Sequence, residues 1–248
     1  MVLLRDGPAG PEAYLLRRAP TLAFAAGMYV FPGGSVDPRD GDADVAWSGP
    51  PGAAWAERFG CSEPVARALV CAAVRETFEE SGVLLAGDPR TGAVVDDTSD
   101  PGWEADRLAL LEGGLSLTGL LRRRDLAVRA DLLRAWTHWI TPHFEPRRFD
   151  TRFFVAALPD GQRPRDVGGE ADRVLWCPVR DAVQRCAEGE MEMLPPTAAT
   201  LRELAEHETV AAALAAAGAR RISPILPVPR WDGDDLRLLV PGDDGYPG

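Results

Sequence analysis

Ten residues, Val74-Arg75-Glu76-Thr77-Phe78-Glu79-Glu80-Ser81-Gly82-Val83, put three carboxylates within five positions, behind an arginine and ahead of a serine–glycine pair. On a helix, positions i, i+3 and i+4 share a face, so Glu76, Glu79 and Glu80 project together. Carboxylates about 5 Å apart repel by roughly 3 kcal/mol per pair at an effective dielectric of about 20. Fully solvated, such a cluster would be the wet face of a surface helix. Two features argue for chemistry instead. The cluster lies in the last turn of the expected helix, where the helix dipole disfavours negative charge. It also runs directly into Gly82 and the apolar Val83-Leu84-Leu85, so it borders the core. A hard divalent cation, Mg2+ or Mn2+, would remove the repulsion. Both ions take carboxylate oxygens and leave room for substrate phosphates.

The elements that must position this cluster are readable in outline. Met1–Arg5 and Ala13–Arg18 are expected as strands joined by a Gly/Pro turn, and Met28–Phe31 as a short strand stopped by Pro32-Gly33-Gly34. The strand at the first residue means that the sheet begins at once or that the natural chain starts further upstream. Residues 35–60, rich in Asp, Gly and Pro, are expected as a long loop that lies over the site as a lid. Ser62 and Pro64 open a helix, Val70, Val74 and Phe78 give it an apolar face, and Gly82 stops it. Helices are expected over 103–112 and 115–135, strands at 139–141, 152–158 and 173–177, and a short helix at 181–187. A long Ala-rich helix at about 200–217 is expected to pack on the core or on a second copy of the chain, as a homodimer would require. Residues 1–222 form one domain with insertions at about 35–60 and 103–135, and 223–248 a Pro/Asp-rich tail with short strands near 225–228 and 236–240. Strands first, then mixed helices and strands, indicate an α/β (α+β) sandwich around a mixed sheet.

Composition narrows the partners. The formal net charge is −11, and the densest basic runs are Arg122-Arg123-Arg124 and Arg147-Arg148. A protein that grips nucleic acid through phosphates needs a longer basic stripe, so no nucleic-acid partner is expected. No run of 18 apolar residues is present, so no membrane-spanning helix is expected. Cys61, Cys71, Cys177 and Cys186 show no C-x-x-C spacing, which points to reduced thiols and a cytoplasmic location. His138, His143 and His207 are scattered and read as packing or surface residues.

Arg75-Glu76-Thr77-Phe78-Glu79-Glu80-Ser81-Gly82-Val83 resembles the second half of the Nudix box, R-E-U-x-E-E-x-G-U with U aliphatic, and Phe31-Pro32-Gly33-Gly34 resembles the segment that opens it. Thr77 stands at an aliphatic position. Forty residues separate Gly34 from Arg75 where the standard box has 13, and eight residues before Arg75, at the place of the box's first glutamate, stands Arg67. The box is therefore split by an insertion, with its first acid expected to be lost or displaced. Leu15-Leu16-Arg17-Arg18, Gly27–Gly34, Trp139–Pro142, Arg148–Phe154 and Leu194–Thr197 are similar to the peroxisomal coenzyme A diphosphatase branch of the family and its bacterial relatives. The arginine of the coenzyme-A-type signature is replaced by Ala23.

The resemblance implies a Nudix-type sandwich that hydrolyses a nucleotide diphosphate with Mg2+ or Mn2+. It implies metal ligands Glu76, Glu79 and Glu80, with the Gly34 carbonyl as a further candidate. Glu79 or Glu80 would help deprotonate water, and Arg75 would orient a neighbouring carboxylate. A later loop acid is expected at Glu170, with Glu145 as the alternative. Substrate contacts are expected from Gly33, Arg18, Arg148 and Arg152, with Arg148-Phe149-Asp150 alternatively a structural turn, and stacking on a base from Phe144, Trp139 or Tyr29. The implied substrate is coenzyme A or an acyl derivative, with ADP-ribose, NADH or a nucleotide sugar as the alternative. A Nudix-fold binding or regulatory module without catalysis is the reading of another class, and the three crowded carboxylates argue against it.

Overall fold

The strands and helices of the computed structural model follow the sequence pattern closely at the start of the chain and less so in the insertions. It describes residues 1–22, 24–166, 171–232 and 235–246. The chain runs through β1 (Val2–Gly7), β2 (Gly10–Arg18), β3 (Tyr29–Val30), a 3-10 turn (Pro38–Gly41), β4 (Trp47–Ser48), α1 (Gly52–Phe59) and α2 (Glu63–Ser81). It continues through β5 (Ala86–Gly87), α3 (Pro101–Leu111), α4 (Leu117–Arg123), β6 (Ala127–Arg129), β7 (Arg134–Ile140), β8 (Asp150–Ala157) and β9 (Ala171–Pro178). The last elements are α5 (Val179–Ala187), α6 (Pro195–Leu204), α7 (Val210–Ala219), β10 (Pro224–Ile225), β11 (Val228–Asp232) and β12 (Asp235–Leu239).

The main mixed sheet has the order β10-β7-β8-β1-β2. One edge of β2 is taken by β9 along Glu12–Arg18, and the other edge pairs with β1 and then with β3. Thus β3 continues the line of β1, and both run parallel to β8. Side chains alternate across the sheet with period two. Leu3, Tyr14, Leu16, Ala135 and Phe154 pack on the α2 side, while Val2, Leu4, Leu15, Trp136 and Val155 pack on the α5–α7 side. The sheet is therefore sandwiched between two helical layers, as the alternation in Val2-Leu3-Leu4 and Leu15-Leu16 requires.

Helix α2 begins after Ser62 and ends at Gly82, which is left-handed (φ 72°) and returns its N–H to the Phe78 carbonyl at 2.9 Å. Ser62 holds the N-cap position, but its hydroxyl makes no capping bond. Val70, Val74 and Phe78 are fully buried, so the apolar face read from four-residue spacing is the face that meets the sheet.

Three expectations are corrected. Residues 35–60 are not a long loop draped as a lid: they hold β4 and α1, whose Trp55 and Phe59 lie 5.7 and 5.3 Å from the Phe154 ring. The stretch 115–135 is helical only to Arg123. Asp125, at φ 53°, turns the chain into β6, which joins β4 and β5 in a small second sheet. The Ala-rich segment is two helices, because the Thr209 hydroxyl caps a new N-terminus through Ala212 N–H at 3.1 Å. Both helices pack on this chain's own core through Leu201, Leu204, Val210, Ala213 and Ala217. The segment after residue 222 adds β10 to the edge of the main sheet beside His138 and Trp139. No described helix is long and apolar enough to cross a membrane.

Candidate active site

Arg75 is the hub of the glutamate cluster. Its Nε lies 3.0 Å from Asp40 Oδ1 and its Nη2 3.0 Å from Asp40 Oδ2, a two-pronged pair buried on both sides. Its Nη1 reaches Glu76 Oε1 at 2.9 Å and Glu79 Oε2 at 3.1 Å, and its Nη2 also donates to the Ser35 carbonyl at 2.9 Å. The third glutamate, Glu80, accepts the Gly33 N–H at 2.8 Å. Two glycines permit this approach. Gly33 has φ 154°, which side-chain-bearing residues rarely adopt, and a Cβ on Gly34 would fall 2.6 Å from the Glu76 carboxylate.

Burial raises the Glu76 and Glu79 carboxyls above the usual range, and the nearby Arg75 charge only partly offsets it. For Arg75 burial alone would lower the pKa, but Asp40, Glu76 and Glu79 outweigh it, and the guanidinium is held above its ordinary value. The dipole problem at the end of α2 has a local answer that the sequence did not show. Arg107, buried in α3, donates its Nη1 to the Glu79 carbonyl at 2.8 Å. The Ser81 carbonyl accepts from Arg165 N at 3.1 Å and the Gly82 carbonyl from the Thr98 hydroxyl at 2.6 Å. Positive charge and donors thus meet the orphan carbonyls of the last turn.

The sequence-derived residues divide into two groups. Arg75, Glu76, Glu79, Glu80, Gly33 and Gly34 come together. Arg18, Arg148 and Arg152 are held by other partners: Arg18 bonds the Phe24 carbonyl at 3.0 Å, Arg148 bonds the Thr141 carbonyl at 3.0 Å, and Arg152 pairs with Asp150 at 2.7 Å. The Arg148 contact gives Arg148-Phe149-Asp150 the character of a structural turn. Glu145 sits on an exposed turn, and Glu170 lies outside the described residues. Among the described residues no three His, Cys, Asp or Glu side chains are already gathered around one point as for a metal ion. The reason is visible: Arg75 holds Glu76 and Glu79, and the Gly33 N–H holds Glu80. The donor set itself, three crowded carboxylates of which burial raises Glu76 and Glu79 in proton affinity, has the hard-oxygen chemistry that suits Mg2+ or Mn2+.

Asp40 corrects the expectation about the box's first acid. Counted forward, the unbroken box places that acid six residues after Gly34, which is Asp40. Counted back from Arg75 it is Arg67, whose guanidinium instead covers the Trp47 ring at 4.7 Å. The insertion follows Asp40, and the acid is kept.

A family model described as the NUDT19 Nudix domain matches residues 50–204, which include all three glutamates. This chain belongs to the NUDT19 family of Nudix hydrolases. Acyl-coenzyme A diphosphatase NUDT19 of Gallus gallus is 27% identical over 97% of this chain and 74% of that protein. Its counterpart from Homo sapiens is 28% identical over 98% of this chain and 74% of that protein. The crystal structure of a NUDIX hydrolase from Alicyclobacillus acidocaldarius superposes with a TM-score of 0.71 at 34% identity, covering 86% of this chain and 92% of that one. The fold and the enzyme class read from the sequence are those of this Nudix hydrolase.

Gly34 gives a direct check on the geometry of the Nudix box. A Gly34→Ala methyl meets the flexible end of Glu76 rather than backbone. The fold should lose less than about 1 kcal/mol, while kcat falls by roughly tenfold or more as Glu76 is pushed aside. Thermal unfolding and steady-state kinetics on the same preparation separate the two effects. A variant with unchanged kcat would show that the position of Glu76 is unimportant.

Proposed function

We propose that this chain is a divalent-cation-dependent diphosphatase that cleaves coenzyme A or acyl-coenzyme A into 3′,5′-ADP and phosphopantetheine or its acyl derivative. The observation that carries this reading is the alignment of nearly the whole chain with two acyl-coenzyme A diphosphatases. The full set of Arg75, Glu76, Glu79 and Glu80 supports catalysis over an inert binding fold. Glu76, Glu79 and Glu80, with the Gly34 carbonyl, would hold Mg2+ or Mn2+, which when bound neutralises phosphoryl charge and acidifies water. Glu79 or Glu80 accepts the proton of the attacking water. The Gly33 N–H fixes Glu80, and Asp40 would keep Arg75 in place were Glu76 and Glu79 engaged by a cation.

Ala23, in place of the signature arginine, favours a second reading in which the substrate is ADP-ribose, NADH or a nucleotide sugar. A panel of coenzyme A, acyl-coenzyme A, ADP-ribose and NADH, compared by kcat/KM with Mg2+ or Mn2+ and with EDTA, decides between them. The first reading expects 3′,5′-ADP from coenzyme A and none with EDTA. Inertness to both coenzymes alongside turnover of ADP-ribose would establish the second.

A further inference from the structure

On the α2 side of the sheet, away from the glutamates, β7 and β8 hold a second polar group. His138 and Arg152 are direct cross-strand neighbours, so their side chains leave the same face. His138 Nε2 lies 2.5 Å, and Arg152 Nη1 2.7 Å, from the same oxygen, Asp150 Oδ1. Two other nitrogens of the pair, His138 Nδ1 and Arg152 Nε, are buried and make no hydrogen bond. The side chains of His138 and Arg152 are 5% and 12% exposed, against 54% for Asp150. The carboxylate is the outer member, and the two nitrogen-bearing groups lie beneath it.

This arrangement leaves donor capacity unused. A buried polar group without a partner carries an uncompensated desolvation cost, larger when it is charged. Arg152 carries five N–H donors; its Nη1 also reaches the Asp150 carbonyl at 3.3 Å, and its one bonding carboxylate oxygen is shared with His138. The acceptor that suits a buried guanidinium edge is an anionic oxygen, of a carboxylate or a phosphate. An imidazolium Nδ1 donates to phosphate, and a neutral Nδ1 accepts from a protonated one.

The group is also placed for the substrate. Arg152 shares its sheet face with Phe154, which packs toward α1 and α2. Phe153, between them, meets Phe31 at 6.3 Å, and Phe31 stands two residues before Gly33. With strands about 4.8 Å apart and a rise of about 3.3 Å per residue, the group sits on the order of 10 Å from Gly33. That matches a second phosphate carried on the ribose of a nucleotide whose diphosphate lies at the glutamates.

We propose that His138 and Arg152, bridged by Asp150, form a subsite for a phosphate monoester on the nucleoside of the substrate, remote from the diphosphate that is cut. It rests on the coenzyme A reading, because coenzyme A carries such a group at its ribose 3′ position and ADP-ribose and NADH do not. The subsite also assigns His138 a contact with ligand, which its place in the sequence did not suggest.

Calorimetric titration with 3′,5′-ADP and with 5′-AMP tests the subsite without any turnover. The wild-type chain should bind 3′,5′-ADP about tenfold tighter or more. Arg152→Met and His138→Phe should bring that ratio toward one, and Arg152→Lys, which keeps the charge but not the Nε–H, should fall between. Equal wild-type affinities, or a preference that survives Arg152→Met, overturn the subsite. Kinetics with coenzyme A and its 3′-dephospho form separate the two readings. Arg152-dependent nucleotide preference without cleavage of either coenzyme sinks the hydrolysis reading and keeps the subsite. Cleavage of both at equal kcat/KM sinks the subsite and keeps the hydrolysis.

Discussion

Glu79→Gln should lower kcat by roughly 10²–10⁴-fold, the range for losing a group that handles a proton or holds the charge of a catalytic ion, while the thermal midpoint stays nearly unchanged. The two halves of this expectation have different causes. Glutamine matches glutamate in size, so packing beside Arg75 is kept. The ionised Glu79 carboxylate is costly where it sits, since burial raises its pKa, and a neutral amide removes that cost while weakening one bond to Arg75 at 3.1 Å. These changes oppose each other, and the net stability effect should stay within about 1 kcal/mol. Activity has no such offset, because the amide cannot take a proton from water and is a poorer partner for a cation. Glu145→Gln, on an exposed turn, is the matched control and should do nothing. A Glu79→Gln enzyme that keeps more than half of its kcat would remove Glu79 from the chemistry.

What the sequence revealed of this molecule was what local rules govern. Val70, Val74 and Phe78 have the period of a helix face, Gly82 is a left-handed stop, and Phe31-Pro32-Gly33-Gly34 needs glycine for close approach. Each of these carries its reason within a few residues. Helix α1 was also written locally, with Trp55 and Phe59 one turn apart and Gly60 left-handed at its end. The Gly- and Asp-rich flanks concealed it. Arg107 had no local signal, because its bond to the Glu79 carbonyl spans 28 positions, and nothing distinguishes it in sequence from the other arginines. The grouping of His138 with Asp150 and Arg152 had no local signal either, because those partners come from the next strand. Asp40 is a different case. It keeps the box's spacing from Gly34, and the insertion that follows it breaks only the spacing to Arg75.

Asp40 is also where the largest loss of stability is expected. Asp40 and Arg75 are 3% and 8% exposed, and two of the three guanidinium nitrogens depend on Asp40. Removing one member of such a pair leaves a buried charge short of partners, at a cost of about 3–5 kcal/mol. Arg75 keeps Glu76 and Glu79, so the low end applies, about 3 kcal/mol for Asp40→Ala. For a domain of this size that is roughly 6–12 °C in the thermal midpoint. Activity should fall as well, because Glu76 and Glu79 must now satisfy Arg75 alone and are less available to a cation. The apparent Kd for Mn2+ should therefore rise along with the loss of kcat, which simple destabilisation would not produce. Adding Arg67→Glu should not rescue Asp40→Ala, although residue 67 stands at the place that the backward count assigns to the acid. It lies inside α2, eight residues and about 12 Å up the helix axis from Arg75, beyond the reach of the guanidinium. Rescue by Arg67→Glu, or a thermal midpoint unmoved by Asp40→Ala, would return the first acid of the box to the place that spacing alone gave it.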